Sequence, residues 1–197
     1  MEFVSAVFMF AFSTTITPGP NNVMIMASGM NYGTKKSFPH FLGICIGFPL
    51  MVICIGLGLG ILFKKFPLMH EGIKILGVAY LLYLAWLVAR SKPSELQGAS
   101  TKPLTFFQAA LFQWLNPKAW MMATGTVAAY TVVSLDIYAQ VLLISLVFFI
   151  AAFPCVGIWL FFGVYLKKIL KKQSYQRAFN ISMALLLVIS VIPVIVE

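Results

Sequence analysis

The stretch FVSAVFMFAFSTTITPGPNNVMIMASGM, residues Phe3–Met30, carries no charged side chain and is interrupted once, at Thr17-Pro18-Gly19-Pro20-Asn21-Asn22. A bilayer-crossing helix needs about 20 mostly apolar residues, and this run is long enough. It has no basic residue ahead of it, Glu2 is acidic, and no small-residue cleavage pattern follows, so it reads as a retained first helix and not a signal peptide. Two prolines remove two backbone donors and bar neighbouring carbonyls from regular pairing. Gly19 admits backbone angles that other residues avoid. The helix must therefore break near membrane depth, where irregular backbone survives only against protein or a wet cavity.

The rest of the chain repeats the theme. A charge-free run predicts helix 2 over Phe38–Phe63, containing Pro49, and a run charged only at Lys74, near its start, predicts helix 3 over Ile73–Ala89. A polar linker, Arg90 to Lys102, follows. Helix 4 spans Leu104–Val133 with Asn116-Pro117-Lys118 inside it, helix 5 spans Ile137–Leu166 with Pro154, and helix 6 spans Ala178–Val196. The composition agrees: 61% hydrophobic and 10% charged residues, with mean hydropathy +0.96. Soluble domains carry about a quarter charged residues. The predicted class is an all-α integral membrane protein of six transmembrane helices. The runs are too long, and alternate too little, for barrel strands.

The six divide into two halves, residues 1–92 and 104–197, joined by a linker at 93–103. Helices 1 and 4 each open a half and carry an asparagine beside a proline. Helices 2 and 5 each carry a mid-span Phe-Pro, Phe48-Pro49 and Phe153-Pro154. Three spans per half force the second half to run upside down, so the pattern predicts two inverted three-helix repeats with helices 1 and 4 broken at mid-membrane.

The net charge of +9 is placed by the same frame. Ten lysines and arginines fall in the loops on one side and three in those on the other. The richer side is predicted to be cytoplasmic, with both termini periplasmic. Basic residues lying between apolar runs do not point to nucleic acid.

The first break offers freed amides and carbonyls and the Asn21 and Asn22 side chains. An amine wants carbonyls; a carboxylate wants amide donors at a helix start. In the second break, Gln113-Trp114-Leu115-Asn116-Pro117-Lys118, Lys118 is the charged residue clearly inside a span. Charge at that depth is costly unless hydrated or paired. Lys118 could receive a substrate carboxylate or change protonation during transport; the simpler reading is a side chain snorkelling to an interface. His40, close to Lys35 and Lys36, could relay protons or stand as an interfacial histidine. Asp136 reads as a cap on helix 5, and the glycines at 43, 47, 56, 58 and 60 read as packing residues of helix 2. Cys45, Cys54 and Cys155 lie in apolar runs without metal-ligand spacing and read as small buried hydrophobes. The chain holds five acidic residues, all at termini or in loops, and lacks metalloprotease and phosphate-loop motifs. No metal, cofactor or enzymatic activity is expected.

Pro18-Gly19-Pro20-Asn21, then Gly29 and Gly33, Gly43 and Gly47, Ile75-Leu76-Gly77-Val78-Ala79-Tyr80-Leu81 and Asn116-Pro117-Lys118 together resemble the bacterial amino-acid exporter superfamily (LysE/RhtB type), typified by the lysine and the homoserine/threonine exporters. The resemblance covers essentially the whole chain. The doubled Asn21-Asn22, Lys102-Pro103-Leu104-Thr105-Phe106 and Asn180-Ile181-Ser182-Met183-Ala184-Leu185-Leu186-Leu187 look most like the cysteine/O-acetylserine exporter branch. The resemblance implies proton-driven export of a small neutral amino acid across a bacterial inner membrane, with Pro18, Gly19, Pro20, Asn21, Asn116, Pro117 and Lys118 at the matching site positions. The residues themselves add Asn22 to that substrate site. One departure stands out. Family members often carry an acidic residue on helix 2 after the second glycine, where Phe48 and Pro49 stand here, so Lys118, His40 or the substrate itself would have to carry the proton. The expected partners are a small amino acid, protons and the lipid bilayer, with a homo-oligomer left open. The rival readings are a membrane scaffold or assembly protein without transport, and a passive channel.

Overall fold

The computed structural model describes residues 2–59, 67–90, 102–132, 135–170 and 172–196. Among these residues there is no strand. Seven α-helices follow one another: α1 (Glu2–Ile16), α2 (Pro20–Cys54), α3 (Pro67–Arg90), α4 (Phe106–Phe112), α5 (Pro117–Tyr130), α6 (Ile137–Ile169) and α7 (Gln173–Val196). A π turn, Ile55–Leu59, extends α2, and a 3-10 turn, Gln113–Leu115, lies between α4 and α5.

The expected first break falls between α1 and α2, and the second between α4 and α5. The expected gap between helices 1 and 2 is nearly absent. The chain stays helical from Pro20 to Cys54 except at Gly33, whose φ of 77° lies in the left-handed region that glycine tolerates. The helix folds back there. Ser28 Oγ lies 2.7 Å from Ser37 Oγ, whereas nine residues of straight helix would separate them by about 13 Å. Lys35 and Lys36 do not interrupt the second arm, because lysine is a good helix former and polarity alone does not end a helix. For the same reason α7 begins at Gln173, ahead of the expected Ala178. Helix 3 starts at Pro67 and not Ile73, with proline at the position where its missing N–H costs nothing. Pro49 and Pro154 are absorbed inside α2 and α6 without ending either. Asp136 caps α6 as expected, its carboxylate accepting from the Tyr138 and Ala139 amides at 2.9 and 3.3 Å. Most of the expected linker, and Gly60, lie outside the described residues.

The two halves interlock. The most extensive packing is α2 against α6, followed by α3 against α7; α1 also lies on α6, and α2 on α4. Small residues permit these approaches: Gly29 meets Leu160 and Gly163 meets Met26 across α2 and α6, and Gly43 and Gly47 lie against Phe106–Ala110 of α4. Gly43, Gly47 and Gly56 are thus packing residues, as read, whereas a Cβ on Gly58 would meet nothing among the described residues, and Gly58 instead takes a left-handed φ of 112°. Cys45 and Cys155 are buried free thiols.

Polarity is distributed inside out. Asn22, Asn31, His40, Gln113, Asn116, Ser145 and Asn180 are buried, while Leu142, Leu146, Ile150, Ile158, Phe161 and Phe162 of α6 are exposed. A helix apolar all round belongs in a core or a bilayer, and water would not leave such faces uncovered. The 33 residues of α6 measure about 50 Å at 1.5 Å each, more than the roughly 30 Å hydrocarbon core.

Candidate functional site

The site is built from the orphan carbonyls at the end of α1. A regular helix would have paired Thr14 O with the amide of residue 18 and Ile16 O with that of residue 20, but both are prolines with no N–H. Substitutes arrive from elsewhere. Thr17 Oγ1 donates to Thr14 O at 2.7 Å, and Trp159 Nε1 of α6 donates to Ile16 O at 3.0 Å. Asn22 Nδ2 donates to Thr15 O at 2.7 Å and to Thr17 O at 2.8 Å. The break is held by side chains, one of them from the other half of the molecule.

Lys118 supplies the rest. Its ammonium donates to Thr17 Oγ1 at 2.8 Å, Thr17 O at 2.9 Å and Pro18 O at 3.2 Å. An ammonium has three hydrogens, and three acceptors surround it. The cation sits at the negative end of the α1 dipole, where positive charge is stabilised. Lys118 therefore does not snorkel outward; it bridges the two breaks. Gly19 makes room for it. Its backbone is extended (φ 179°), open to any residue, but a Cβ there would lie 2.7 Å from Lys118 Cδ.

The second tie between the breaks is a reciprocal amide pair. Asn21 Nδ2 donates to Gln113 Oε1 at 2.8 Å and Gln113 Nε2 donates to Asn21 Oδ1 at 3.1 Å. Gln113 is anchored in turn, donating to Ala109 O at 2.9 Å. Asn116 is the N-cap of α5, its Oδ1 accepting from the Lys118 amide at 3.1 Å, with Pro117 in the first helical position. Trp120 Nε1 donates to Trp114 O at 2.8 Å and closes the same break.

A small cavity of about 30 Å³ lies between these groups, lined by Gly19, Asn21, Asn22, Asn116, Lys118 and Thr15, with Ile44, Phe48, Ala152 and Val156 as apolar walls. Two helix N-termini open on it, those of α2 at Pro20 and α5 at Pro117, and helix starts favour anions. Thr15 Oγ1 is buried and has no hydrogen-bond partner among the described residues.

The sequence model of the LysE type translocators matches residues 12–195. The chain belongs to that family. It is 31% identical to a cysteine/O-acetylserine efflux protein of Klebsiella pneumoniae, over 98% of this chain and 97% of that protein. It is 28% identical to one of Escherichia coli strain K12, over 94% and 93%. No solved structure matches the chain. Family and inside-out polarity together make it a membrane transport protein.

Of the residues singled out in the sequence, this translocator gathers Gly19, Asn21, Asn22, Asn116 and Lys118 round one cavity. Pro18 contributes a carbonyl to Lys118, while Pro20 and Pro117 shape the two helix starts. Phe48 forms an apolar wall of that cavity. His40 is elsewhere. It is 2% exposed, so it is buried in protein and is not an interfacial residue, and it lines a different cavity. The sequence reading placed Thr17 and Gln113 at the start of the two breaks but gave neither a role, and it missed Thr15 and Trp159. Gln113, a polar residue in an apolar run five positions before Lys118, was the one with a visible signal.

Proposed function

We propose that this translocator is a secondary active exporter of small neutral amino acids of the cysteine/O-acetylserine kind. It works by alternating access across the bacterial inner membrane, with the substrate bound where the two broken helices meet. The observation that carries the reading is the reach of the Lys118 ammonium across to the Thr17 and Pro18 carbonyls. A cation, two helix starts and three carboxamides face one point, which is the complement of a zwitterion. A substrate carboxylate would go to Lys118 and the helix starts, and an amine to the α1 carbonyls. The efflux proteins that share this chain's full length support the choice of cargo.

A cavity of about 30 Å³ holds roughly one water and no amino acid, so the conformation corresponds to a closed site, and transport requires Lys118 to release at least one carbonyl as substrate enters. That exchange is a natural point for coupling to protons, with Lys118 as carrier. Six spans arranged as two inverted repeats fit the pairing of α2 with α6 and α3 with α7. The loop lysines favour a cytoplasmic face at the Gly33 turn and periplasmic termini.

The test is counterflow in proteoliposomes with a panel of labelled amino acids, with and without a pH gradient. Saturable exchange of cysteine or O-acetylserine is expected, along with its loss in Lys118→Ala and Asn21→Ala proteins that still reach the membrane. Full exchange by both variants would sink the site assignment.

A further inference from the structure

A second cavity, of about 260 Å³, is lined by Met24, Ala27, Ser28, Asn31, Tyr32, His40, Leu84 and Lys102 among others. It lies at the end of the molecule that carries the Gly33 turn, with Lys35 and Lys36, and the C-terminus of α3 at Arg90. His40 and Ile44 stand on one face of α2, and Ile44 lines the central cavity. Four residues of helix are about 6 Å, so the two cavities are one helical turn apart along α2.

The second cavity holds an unexplained group. His40 is 2% exposed, and neither ring nitrogen has a hydrogen-bond partner among the described residues. A buried polar group without a partner is costly, and such groups in native proteins usually have a missing partner. One imidazole offers both a donor and an acceptor. Lys102, an exposed residue, adds a cation to the lining. Asn31 is tied to Asn180 by reciprocal bonds of 3.2 Å, leaving its amide a second N–H. Ser28 and Tyr32 add hydroxyl groups, and the remaining walls are apolar. A cation, an imidazole and an amide round a space near the lower bound for ligand pockets, about 300 Å³, suit a small amino acid with a polar side chain.

We infer that this cavity is a vestibule site for the amino acid, on the lysine-rich side of the central cavity: Lys102 takes the carboxylate, and His40 and Asn31 take the amine and side-chain polar atoms. The inference rests on the exporter reading and adds a second binding position to it. Cargo would be held there while the central cavity is closed, then move about one helical turn to Lys118.

The experiment uses the whole chain in nanodiscs. It has two histidines, His40 and His70, so a His70→Gln protein labelled with [15N]histidine reports His40 alone. Reduced cysteine, O-acetylserine and, lacking a carboxylate, cysteamine are titrated in turn. The expected result is a saturable shift of the His40 ring nitrogens with the amino acids and none with cysteamine. The shift should persist in Lys118→Ala, and its apparent affinity should fall about tenfold in Lys102→Gln. A shift that disappears in Lys118→Ala, or that cysteamine reproduces, overturns the vestibule. So does an unmoved His40 while either amino acid is exchanged in counterflow, which leaves the exporter reading intact. If neither amino acid is exchanged, that reading of the cargo fails and the vestibule fails with it.

Discussion

The two helix breaks look alike in sequence and are held together differently. The break between α4 and α5 is nearly self-sufficient: Asn116 caps α5, the Asn116 amide reaches Gln113 O at 3.2 Å, and Trp120 takes Trp114 O. The break between α1 and α2 has two prolines, and its own Thr17 and Asn22 close it only in part. It borrows Trp159 from α6 and Lys118 from α5. One break is a rigid platform, and the other is an open end completed by the platform. In a transporter that asymmetry has a use, because an end held by borrowed contacts can be released without unfolding its own helix.

The largest effect should come from removing the loan. Lys118→Ala deletes three bonds from a charged donor, each worth about 1.5–3 kcal/mol, and takes that donor from the Pro18 carbonyl, while Thr17 O keeps its bond from Asn22. Export should fall by at least about 100-fold with protein still in the membrane. Lys118→Arg keeps the charge but exchanges a compact ammonium for a planar fork, and should recover only part of the loss. Efflux from loaded vesicles, normalised to membrane protein, measures both.

Gly19→Ala tests whether the geometry of the loan matters. The backbone is extended, so no conformational strain is added. The new Cβ would meet Lys118 at 2.7 Å and push the ammonium off its carbonyls. Export should fall about tenfold, a change of roughly 1.4 kcal/mol. Combined with Lys118→Ala it should add almost nothing, because both act on one contact. Additive losses would mean that Gly19 serves some other purpose.

The Asn21–Gln113 pair offers a smaller test of the tie itself. Single alanine variants each strand one carboxamide, whereas the double variant strands none. A double-mutant cycle on thermal unfolding in detergent should return a coupling of about 1 kcal/mol. A coupling near zero would show that the two breaks are held together by Lys118 without help from the amides.

The contrast between the breaks was only half legible beforehand. The positions of both breaks could be read, because proline's missing N–H and fixed ring act locally and leave a mark in the chain. The helical class could be read from the length of the apolar runs. A connection between Met30 and Phe38 could be read too, but not that it is a single left-handed glycine, since lysines at 35 and 36 look like a longer loop. Which carbonyl each donor would serve was also hidden. Trp159 and Gln113 lie more than 90 residues from their partners in the first break, and no local pattern carries a pairing of that kind. His40 was hidden for the same reason: two neighbouring lysines suggested an interface, while the fold buries the ring in protein.

The smallest effect should come from the platform, and it sharpens the comparison by its smallness. Asn116→Ala removes an N-cap, which costs about 1 kcal/mol, whereas Asn116→Ser restores a capping oxygen at the same place. If Asn116 only caps α5, the serine variant should regain both thermal stability and export. If the Asn116 amide also meets substrate in the central cavity it lines, the serine variant should regain stability while its KM for export stays raised. The split between unfolding temperature and KM therefore separates the two roles of one residue. Trp159→Phe is the matched control on the other break, because it strands the Ile16 carbonyl, which has no second donor from its own helix. Its stability loss should equal or exceed that of Asn116→Ala, with about 1–3 kcal/mol expected for an unpaired buried acceptor. A smaller loss at Trp159 than at Asn116 would mean that the first break closes itself after all.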